Sequence, residues 1–420
     1  MPISPIPIDG PVLVLGAGLD GAAVAWGLAR RGASVIVVDE RDLGSVVIEE
    51  ERYAAWWPGA DDAVTRLAGR GADLLEQLCA EPGKALGINR RGHLFVASRP
   101  APESSLRSLA GRLVARTGGQ LREHATTEWY LPSPANGVRG VPDGIDLLEG
   151  AALRTVFPFL GSQIHSGLHV RRAGWVDGGA LRARLAESAG VAGVQFLSGR
   201  VRGVDRSPSE GWSVRLDSGE RVTGGAIVVT GSGRGGLARR VGLVEPGLDA
   251  TWLVARLAGA APLLPATAPV IVPSDDLALP ANPRSLRGGG TGDLVIETTL
   301  LGTPAPGTAL SGEDLFRELA ATVPLLGGHR GPAPRLSARA TPLWLSPDGR
   351  PMIGMTASGM CVVRGVSGAV NLSLGAGDLV GDLLMGGEMP PWAASLAPAR
   401  FEEYQLLRGP GIAGRAPVDF

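Results

Sequence analysis

The chain has 420 residues, of which 40 are basic and 41 acidic, so its formal net charge is −1. This balance argues against a nucleic-acid-binding surface, which needs an excess of basic residues. Two cysteines, Cys79 and Cys361, are too few for a disulfide framework or a cysteine-only zinc site.

A chain of this length predicts two or three domains. It contains no run of about 20 apolar residues, so the sequence predicts no membrane span. The first nine residues have neither the basic region nor the uninterrupted apolar stretch of a secretory signal. We therefore expect a cytoplasmic protein.

The first predicted elements form a βαβ unit. Residues 11–15 predict a buried strand, residues 19–31 a helix, and residues 34–38 a second buried strand. Gly32 follows the predicted helix, as is common one residue beyond a helix end.

The turn between the first strand and the helix carries three glycines in the spacing G-x-G-x-x-G. Gly16 suits the tight turn, Gly18 the close approach of a diphosphate, and Gly21 the packing of the helix on the strand. Asp39 ends the second strand, near the distance expected for the acid that binds ribose hydroxyls. The chain has 63 glycines, so the glycine spacing alone is weak. The full order of strand, glycines, helix, strand and acid predicts dinucleotide binding.

Three further observations bear on the identity of the dinucleotide. Asp39 disfavours a 2′-phosphate and hence NADP. FAD and NAD share the glycine pattern, but its place near the N-terminus favours FAD. The long interval before a second apolar strand, residues 226–230, favours FAD as well.

The remaining elements are predicted in chain order. They are a helix capped by Asp61 or Asp62, a strand at 93–97, a helix capped by Asp177, a small antiparallel sheet from 194–197, 201–204, 212–216 and 221–223, the strand at 226–230, a helix at 312–322, a strand at 360–364 and a last helix at 376–385.

Five segments in order resemble the D-amino-acid-oxidase-type flavoproteins, which include glycine oxidase and sarcosine oxidase. These segments are the glycine turn at 16–21, Gly-Trp-Val-Asp at 174–177, Gly-Arg-Val at 199–201, Ala-Ile-Val-Val-Thr-Gly at 226–231, and Pro-Asp-Gly-Arg-Pro-Met-Ile-Gly at 347–354 followed by Gly-Val-Ser-Gly at 365–368. We expect an α/β protein with a discontinuous Rossmann-like FAD-binding domain and a mixed-sheet α+β substrate domain. The predicted FAD-binding domain comprises 1–80, 160–245 and 335–420, and the predicted substrate domain comprises 81–159 and 246–334.

The resemblance implies a set of FAD-binding residues. They are Gly16, Gly18, Gly21, Asp39, Glu40, Arg41, Gly44, Ser45, Val201, Thr230, Gly231, Gly354, Gly365, Val366, Ser367 and Gly368. It also implies that a helix beginning at Gly375 would aim its N-terminus at the flavin. No His or Cys lies at 40–48, and Cys361 lies inside an apolar strand, so we expect FAD to be held non-covalently.

The activity that the resemblance implies is oxidation of a C–N bond in an amine or amino acid, by hydride transfer to flavin N5. No general base of special spacing is required, and no metal is expected. Candidate pocket residues are Trp56, Trp57, Arg339, Leu343 and Trp344.

Two positions depart from the family pattern. Many members carry an arginine that binds the substrate carboxylate five residues before the Asp of the Pro-Asp-Gly turn, and Leu343 occupies that position here. Sarcosine-oxidase-like members activate oxygen with a lysine near the flavin. The single lysine of this chain, Lys84, is predicted to lie in a loop far from the flavin. The electron acceptor is therefore open between O2 and a redox partner.

Three other functions share parts of these patterns. A non-catalytic or partner-dependent flavoprotein of the same fold accounts for the departures above. A flavin-dependent hydroxylase shares the N-terminal glycine turn, but Gly381-Asp382-Leu does not match its late helix entry. A plain NAD dehydrogenase leaves the segments at 199–204, 226–231 and 347–368 without a role.

Overall fold

A computed structural model provides the fold. It describes residues 10–40, 50–54, 60–81, 86–97, 103–117, 119–124, 126–127, 130, 144–207, 211–231, 237–243, 246–258, 264–265, 268–273, 285–288, 293–301, 335–366 and 369–402. The predicted helix at 312–322 lies outside these residues.

The strands of the described residues follow in chain order. They are β1 (Val12–Leu15), β2 (Val35–Asp39), β3 (Glu50–Ala54), β4 (Ile88–Asn89), β5 (His93–Ala97), β6 (Gln120–His124), β7 (Gly144–Glu149), β8 (Ser166–Val170), β9 (Ala173–Asp177), β10 (Gln195–Ser198), β11 (Val201–Ser207), β12 (Gly211–Leu216), β13 (Arg221–Gly224), β14 (Ala226–Thr230), β15 (Leu248–Ala258), β16 (Val270–Pro273), β17 (Ser285–Gly288), β18 (Leu294–Leu301), β19 (Arg335–Leu345), β20 (Met352–Met355) and β21 (Cys361–Arg364).

The helices of the described residues are α1 (Leu19–Ala29), α2 (Asp62–Cys79), α3 (Glu103–Thr117), α4 (Gly150–Val156), α5 (Gly178–Val191), α6 (Leu237–Arg240), α7 (Val370–Leu384) and α8 (Ala399–Glu402), with a 3-10 helix at Pro391–Leu396. The predicted caps are present. Asp61 accepts a hydrogen bond from the Val64 amide at the start of α2, and Asp177 accepts one from the Ala180 amide at the start of α5.

A six-stranded sheet forms the first layer, in the order β10-β2-β1-β14-β21-β20. All its pairs are parallel except β20–β21. Its strands are short, continuous runs of Val, Ile and Leu, as expected where both faces are covered. Helices α1, α2, α5 and α7 share a hydrophobic cluster on one face, and the antiparallel sheet β11-β12-β13 packs on the other.

One predicted strand pairs differently. The segment at 194–197 was expected in the small antiparallel sheet, but β10 pairs in parallel with β2 at the edge of the six-stranded sheet. An alternating pattern fixes which face of a strand is buried, not its partner. The other three predicted strands do form the antiparallel sheet, as β11, β12 and β13.

A nine-stranded mixed sheet forms the second layer, in the order β19-β15-β18-β17-β16-β5-β8-β7-β6. Two hydrophobic clusters cover its faces, one of which includes residues of α3. A small sheet, β3-β9-β4, joins segments that follow β2 and β8. The α/β architecture with one largely parallel and one mixed sheet confirms the predicted fold class.

The predicted start of the last helix is wrong. Helix α7 begins at Val370, so Gly375 and Gly377 lie inside it instead of at its N-terminus. A Cβ atom at Gly375 would overlap the Leu67 carbonyl of α2, and one at Gly377 would overlap the Ala23 carbonyl of α1. These glycines therefore serve the close approach of three helices, a role that Gly often fills.

Sheet membership bears on the predicted domain division without deciding its boundaries. Strands β8 and β19 lie within segments assigned to the FAD-binding domain, yet both pair within the nine-stranded sheet. The division into two domains stays a prediction.

Candidate active site

The glycine turn after β1 divides three roles among three glycines. Gly16 has a φ of +105° and donates from its amide to the Val38 carbonyl at 2.8 Å, which closes the turn. A Cβ at Gly21 would overlap the Gly16 carbonyl oxygen. At Gly18, by contrast, no described atom lies within 4 Å of where a Cβ would be. The space over Gly18, at the N-terminus of α1, fits a diphosphate.

Two further predicted residues meet this turn. The Asp39 carboxylate accepts a hydrogen bond from the Ala17 amide at 2.6 Å, which holds it at the end of β2 beside the turn. The Thr230 hydroxyl at the end of β14 donates to the Leu15 carbonyl at 2.9 Å. Gly231 follows with a φ of +118°. Parallel strands β2, β1 and β14 thus bring their carboxyl ends to one edge, where ligands of such sheets bind.

The residue predicted to hold the adenine is Val201. Val201 is buried at the start of β11. The exposed Glu40 carboxylate forms ion pairs with Arg200 at 3.3 Å and Arg240 at 3.4 Å. Exposed pairs of this kind contribute little stability.

The predicted flavin end is formed by β20, β21 and the residues that follow β21. Gly354 and Gly365 have φ values of +133° and +68°, and Val366 is buried. The guanidinium of buried Arg364 lies 5.0 Å from the ring centroid of Trp344, a cation–π distance. A Cβ at Gly365 would contact the same indole at 3.4 Å.

An acidic residue of the glycine turn contacts the helix that follows the predicted flavin segment. Asp20 occupies the first turn of α1, and its carboxylate accepts a hydrogen bond from the Ser373 hydroxyl of α7 at 2.6 Å. Burial raises the pKa of Asp20 to about 6, against the lowering effects of Ser373 and of Arg364. Sequence reasoning treated position 20 as a free position of the glycine pattern and missed it.

Helix α7 is tied to the strand that follows the ribose-binding region. The Asn371 side chain, fully buried, donates to the Ala54 carbonyl at 2.7 Å and to the Ala68 carbonyl at 2.8 Å. It also accepts from the Ala54 amide at 3.2 Å. This amide therefore joins α7 to β3 and α2 at the base of the predicted flavin site.

A buried ionic cluster lies two residues from that junction. Arg52 of β3 forms an ion pair with Glu297 of β18 at 3.0 Å, and Arg287 of β17 pairs with the other carboxylate oxygen at 3.0 Å. All three side chains are at most 4% exposed. The Arg287 guanidinium also lies 5.5 Å from the Trp175 ring. The cluster joins the small sheet to the nine-stranded sheet.

The same cluster affects a neighbouring histidine. Burial, with the nearby charge of Arg52 as a second cause, lowers the pKa of His93 to about 3. His93 is therefore neutral near pH 7. Sequence reasoning missed the cluster, although a glutamate inside the apolar run Leu294-Val-Ile-Glu297 is a usable sign, because a buried charge needs a partner.

The predicted pocket residues fall in different surroundings. Arg339 is exposed on β19. Leu343 and Trp344 are buried at 3% and 1%, and Trp344 belongs to a hydrophobic cluster with Leu13 and Leu15. Their roles in a pocket stay predictions. Several predicted residues lie outside the described part of the chain: Arg41, Gly44, Ser45, Trp56, Trp57, Ser367 and Gly368, together with Lys84.

Other reactive side chains are accounted for within the described residues. Burial raises the pKa of Cys361 to about 12, so its thiol is protonated. No group of three or more His, Cys, Asp or Glu side chains in the described ranges is placed to hold a metal ion. No helix of those ranges is both long and apolar enough to cross a membrane.

Several solved structures share this fold. Glycine oxidase from Geobacillus kaustophilus superposes with a TM-score of 0.74 at 20% identity, covering 93% of this chain and 98% of that one. Iminodiacetate oxidase from Chelativorans sp. BNC1 gives 0.69 at 21%, covering 92% and 98%. L-proline dehydrogenase from P. horikoshii gives 0.70 at 17%, covering 94% and 98%. At these identities the likeness shows the fold.

The sequence model of one family matches most of the chain. That family is described as FAD dependent oxidoreductase, and its model matches residues 11–383. The match confirms the resemblance to the D-amino-acid-oxidase-type flavoproteins, and it covers the glycine turn, both large sheets and most of α7. The protein is therefore an FAD-dependent oxidoreductase and belongs to the DAO family.

Proposed function

We propose that the protein oxidises a C–N bond of an amine or amino acid, with non-covalently held FAD as the hydride acceptor and O2 or a redox partner as the final acceptor. The family supports the redox chemistry. The names of three relatives of the same fold, glycine oxidase, iminodiacetate oxidase and L-proline dehydrogenase, support the substrate class, because glycine, iminodiacetate and proline each carry nitrogen on carbon.

The turn from Gly16 to Gly21 is the observation that carries this proposal. The open position at Gly18 and the amides at the start of α1 would receive the diphosphate, and Asp39 would bind ribose hydroxyls. Residues at the start of β11 and at the end of β14 would flank the adenine and diphosphate. When bound, FAD supplies the hydride-accepting N5 atom.

Residues that join the small sheet to the nine-stranded sheet would support the substrate site. Arg52 and Arg287 place two buried guanidinium groups around Glu297, beside the indole of Trp175. His93 stays neutral and adds no charge. Because these side chains are at most 4% exposed and pair with one another, we propose that the cluster fixes the strands around the substrate and does not contact the substrate itself.

The proposal is tested by anaerobic titration of the purified flavoprotein with glycine, iminodiacetate, L-proline and simple alkylamines. Loss of the oxidised-flavin absorbance with at least one of them is expected, and the cognate keto or aldehyde product should form. The Gly18→Ala variant, which we expect to lack flavin, controls for flavin-independent reactions.

Two outcomes would favour the alternatives. A protein that holds FAD but is bleached by none of these compounds supports a non-catalytic or partner-dependent flavoprotein. Flavin reduction by NADPH, stimulated by an aromatic compound, supports a hydroxylase.

A further inference from the structure

Asp20 is an unusual residue for its place in the fold. It lies in the first turn of α1, in the G-x-G-x-x-G turn itself, between Gly18 and Gly21. Like Gly16 and Gly18, it keeps partial solvent exposure, whereas Ala17 and Leu19 beside it are buried. Asp20 is thus a partly exposed carboxylate in the turn that is predicted to hold the diphosphate.

The carboxyl group is held in place from two neighbouring elements. Ser373 of α7 donates to it at 2.6 Å, and the Arg364 guanidinium at the end of β21 is near enough to lower its pKa. Both elements adjoin the segment predicted to contact the flavin. Asp20 thus connects the diphosphate-binding helix to the flavin end of the site.

The other charged groups on the elements packed against α1 are already engaged. Asp39 of β2 accepts from the Ala17 amide, and Arg182 of α5 reaches the Ala17 carbonyl at 3.4 Å. On α7, Asp378 pairs with Arg31 at 2.7 Å and also with Arg70. A diphosphate bound at this turn would therefore act mainly on the ionisation of the Asp20 carboxyl.

The ionised form of Asp20 and a diphosphate compete for the same stabilising groups. The N-terminus of a helix favours a nearby negative charge, and the first-turn amides of α1 serve that purpose. A bound diphosphate would use these amides and would add like charge beside the carboxylate, which favours its protonated form.

We propose that Asp20 takes up a proton from solvent when FAD binds, so that the protein holds FAD more tightly at mildly acidic than at alkaline pH. This inference rests on the proposed FAD site. Because burial raises the pKa of Asp20 to about 6 before FAD binds, its carboxyl is ionised at pH 8 and half protonated near pH 6. FAD binding is therefore coupled to protonation of Asp20 above pH 6.

The expected effect is a change in FAD affinity with pH. If the carboxyl is protonated throughout the complex, the Kd rises by up to about 50-fold between pH 6 and pH 8. Asp20→Asn keeps an acceptor for the Ser373 hydroxyl and removes the titrating group, so its Kd should vary much less over this range. Asp62, an exposed first-turn acid of α2, provides the matched control, and Asp62→Asn should retain the wild-type pH dependence.

The measurement is FAD binding to the deflavinated protein, followed by quenching of flavin fluorescence from pH 5.5 to 8.5. Calorimetry at pH 8 in two buffers of different ionisation enthalpy gives the number of protons taken up. We expect uptake approaching one proton for the wild type and for Asp62→Asn, and none for Asp20→Asn.

The possible outcomes distinguish a failure of the Asp20 inference from a failure of the proposed FAD site. FAD binding with the same pH dependence in wild type and Asp20→Asn, or without proton uptake, would overturn the role of Asp20 and leave the FAD site intact. Failure of the wild type to bind FAD at any pH would overturn both.

Discussion

Single positions in the glycine turn show how one residue type meets separate physical demands. Gly21 is required by the protein itself, because a side chain there meets the Gly16 carbonyl. Gly18 has open space over it, so the protein itself does not require a glycine there, and we predict that the bound diphosphate does. Asp20, in the same turn, shows that a position left free by a sequence pattern can still make a specific contact, here with the Ser373 hydroxyl of α7. Substitutions can separate these demands.

The two glycines should respond differently to alanine. Gly18→Ala should change the unfolding free energy of the apoprotein by no more than about 1 kcal/mol, yet weaken FAD binding by more than about tenfold. Gly21→Ala should destabilise the apoprotein by about 1–3 kcal/mol, because the backbone must shift. Urea unfolding and flavin-fluorescence quenching measure both effects.

A third glycine provides the control for this pair. Gly69 lies inside α2, and no described atom is within 4 Å of its Cβ position. Gly69→Ala should stabilise the protein by up to about 1 kcal/mol and leave FAD binding unchanged. Equal losses of stability in Gly18→Ala and Gly21→Ala would contradict the assignment of separate roles.

Glu297 is the central charge of the buried ionic cluster. Glu297→Gln leaves two buried guanidinium groups without a carboxylate, and the expected loss of unfolding free energy is about 3–5 kcal/mol. Chemical denaturation measures this loss. Glu220→Gln, at an exposed turn, should lie within about 0.5 kcal/mol of wild type. A loss of unfolding free energy below 1 kcal/mol for Glu297→Gln would show that the cluster does not stabilise the contact between the small sheet and the nine-stranded sheet.

At the scale of elements, the site depends on how α1, α2 and α7 pack together. Glycines at the contacts allow close approach, and the carboxylates of Asp378 and Asp382 on α7 pair with Arg31 beyond α1 and Arg70 on α2. Asn371 then fixes the first turn of α7 to β3. The helix that follows the predicted flavin segment is therefore held from three sides.

Asn371 tests this element directly. Asn371→Ala removes the partners of the Ala54 amide, the Ala54 carbonyl and the Ala68 carbonyl. Each buried group left unpaired costs roughly 1–3 kcal/mol, and FAD affinity should fall because α7 loosens. Thermal unfolding and FAD titration measure the two effects. Gln77→Ala, an exposed amide on α2, is the control; if it matches Asn371→Ala, the assigned role is wrong.

Local patterns in the sequence predicted the elements whose determinants lie close together in the chain. The βαβ unit and the Asp177 cap are of this kind. The start of α7 was predicted wrongly at Gly375. A glycine is needed there because the Leu67 carbonyl of α2 lies against it, and the sequence does not show that contact. The pairing of β10 and the Arg52–Glu297 contact were missed for the same reason: their partners are distant in sequence.

For the whole molecule, buried ionisable groups couple stability to pH. His169 hydrogen-bonds through Nδ1 to the Tyr130 hydroxyl and through Nε2 to the Arg91 carbonyl, an arrangement that suits a neutral ring. Burial lowers its pKa to about 4, and that of His93 to about 3. Asp20 opposes them, because its raised pKa favours the folded state as pH falls below about 6.

Two histidines lower the stability of the folded state as the pH falls, whereas only Asp20 raises it. Below pH 6.5 the unfolded chain binds protons that the folded histidines do not, so stability present at pH 7 is lost as pH falls toward 4. We expect a net loss on the order of 2 kcal/mol between pH 7 and pH 4.5, measured by urea unfolding. His169→Gln, which removes the titrating ring and can still donate to the Arg91 carbonyl, should reduce the loss, and exposed His165→Gln should not. Constant stability over this range would contradict the burial of neutral histidines.

The central claim is that this fold holds FAD non-covalently at the turn from Gly16 to Gly21. The most direct measurement is the absorbance spectrum of the purified protein, followed by heat denaturation, filtration and identification of any released flavin. The account predicts the two visible bands of oxidised flavin and recovery of FAD in the filtrate. A yellow pellet would contradict non-covalent binding, and a colourless protein that FAD cannot reconstitute would contradict the claim itself.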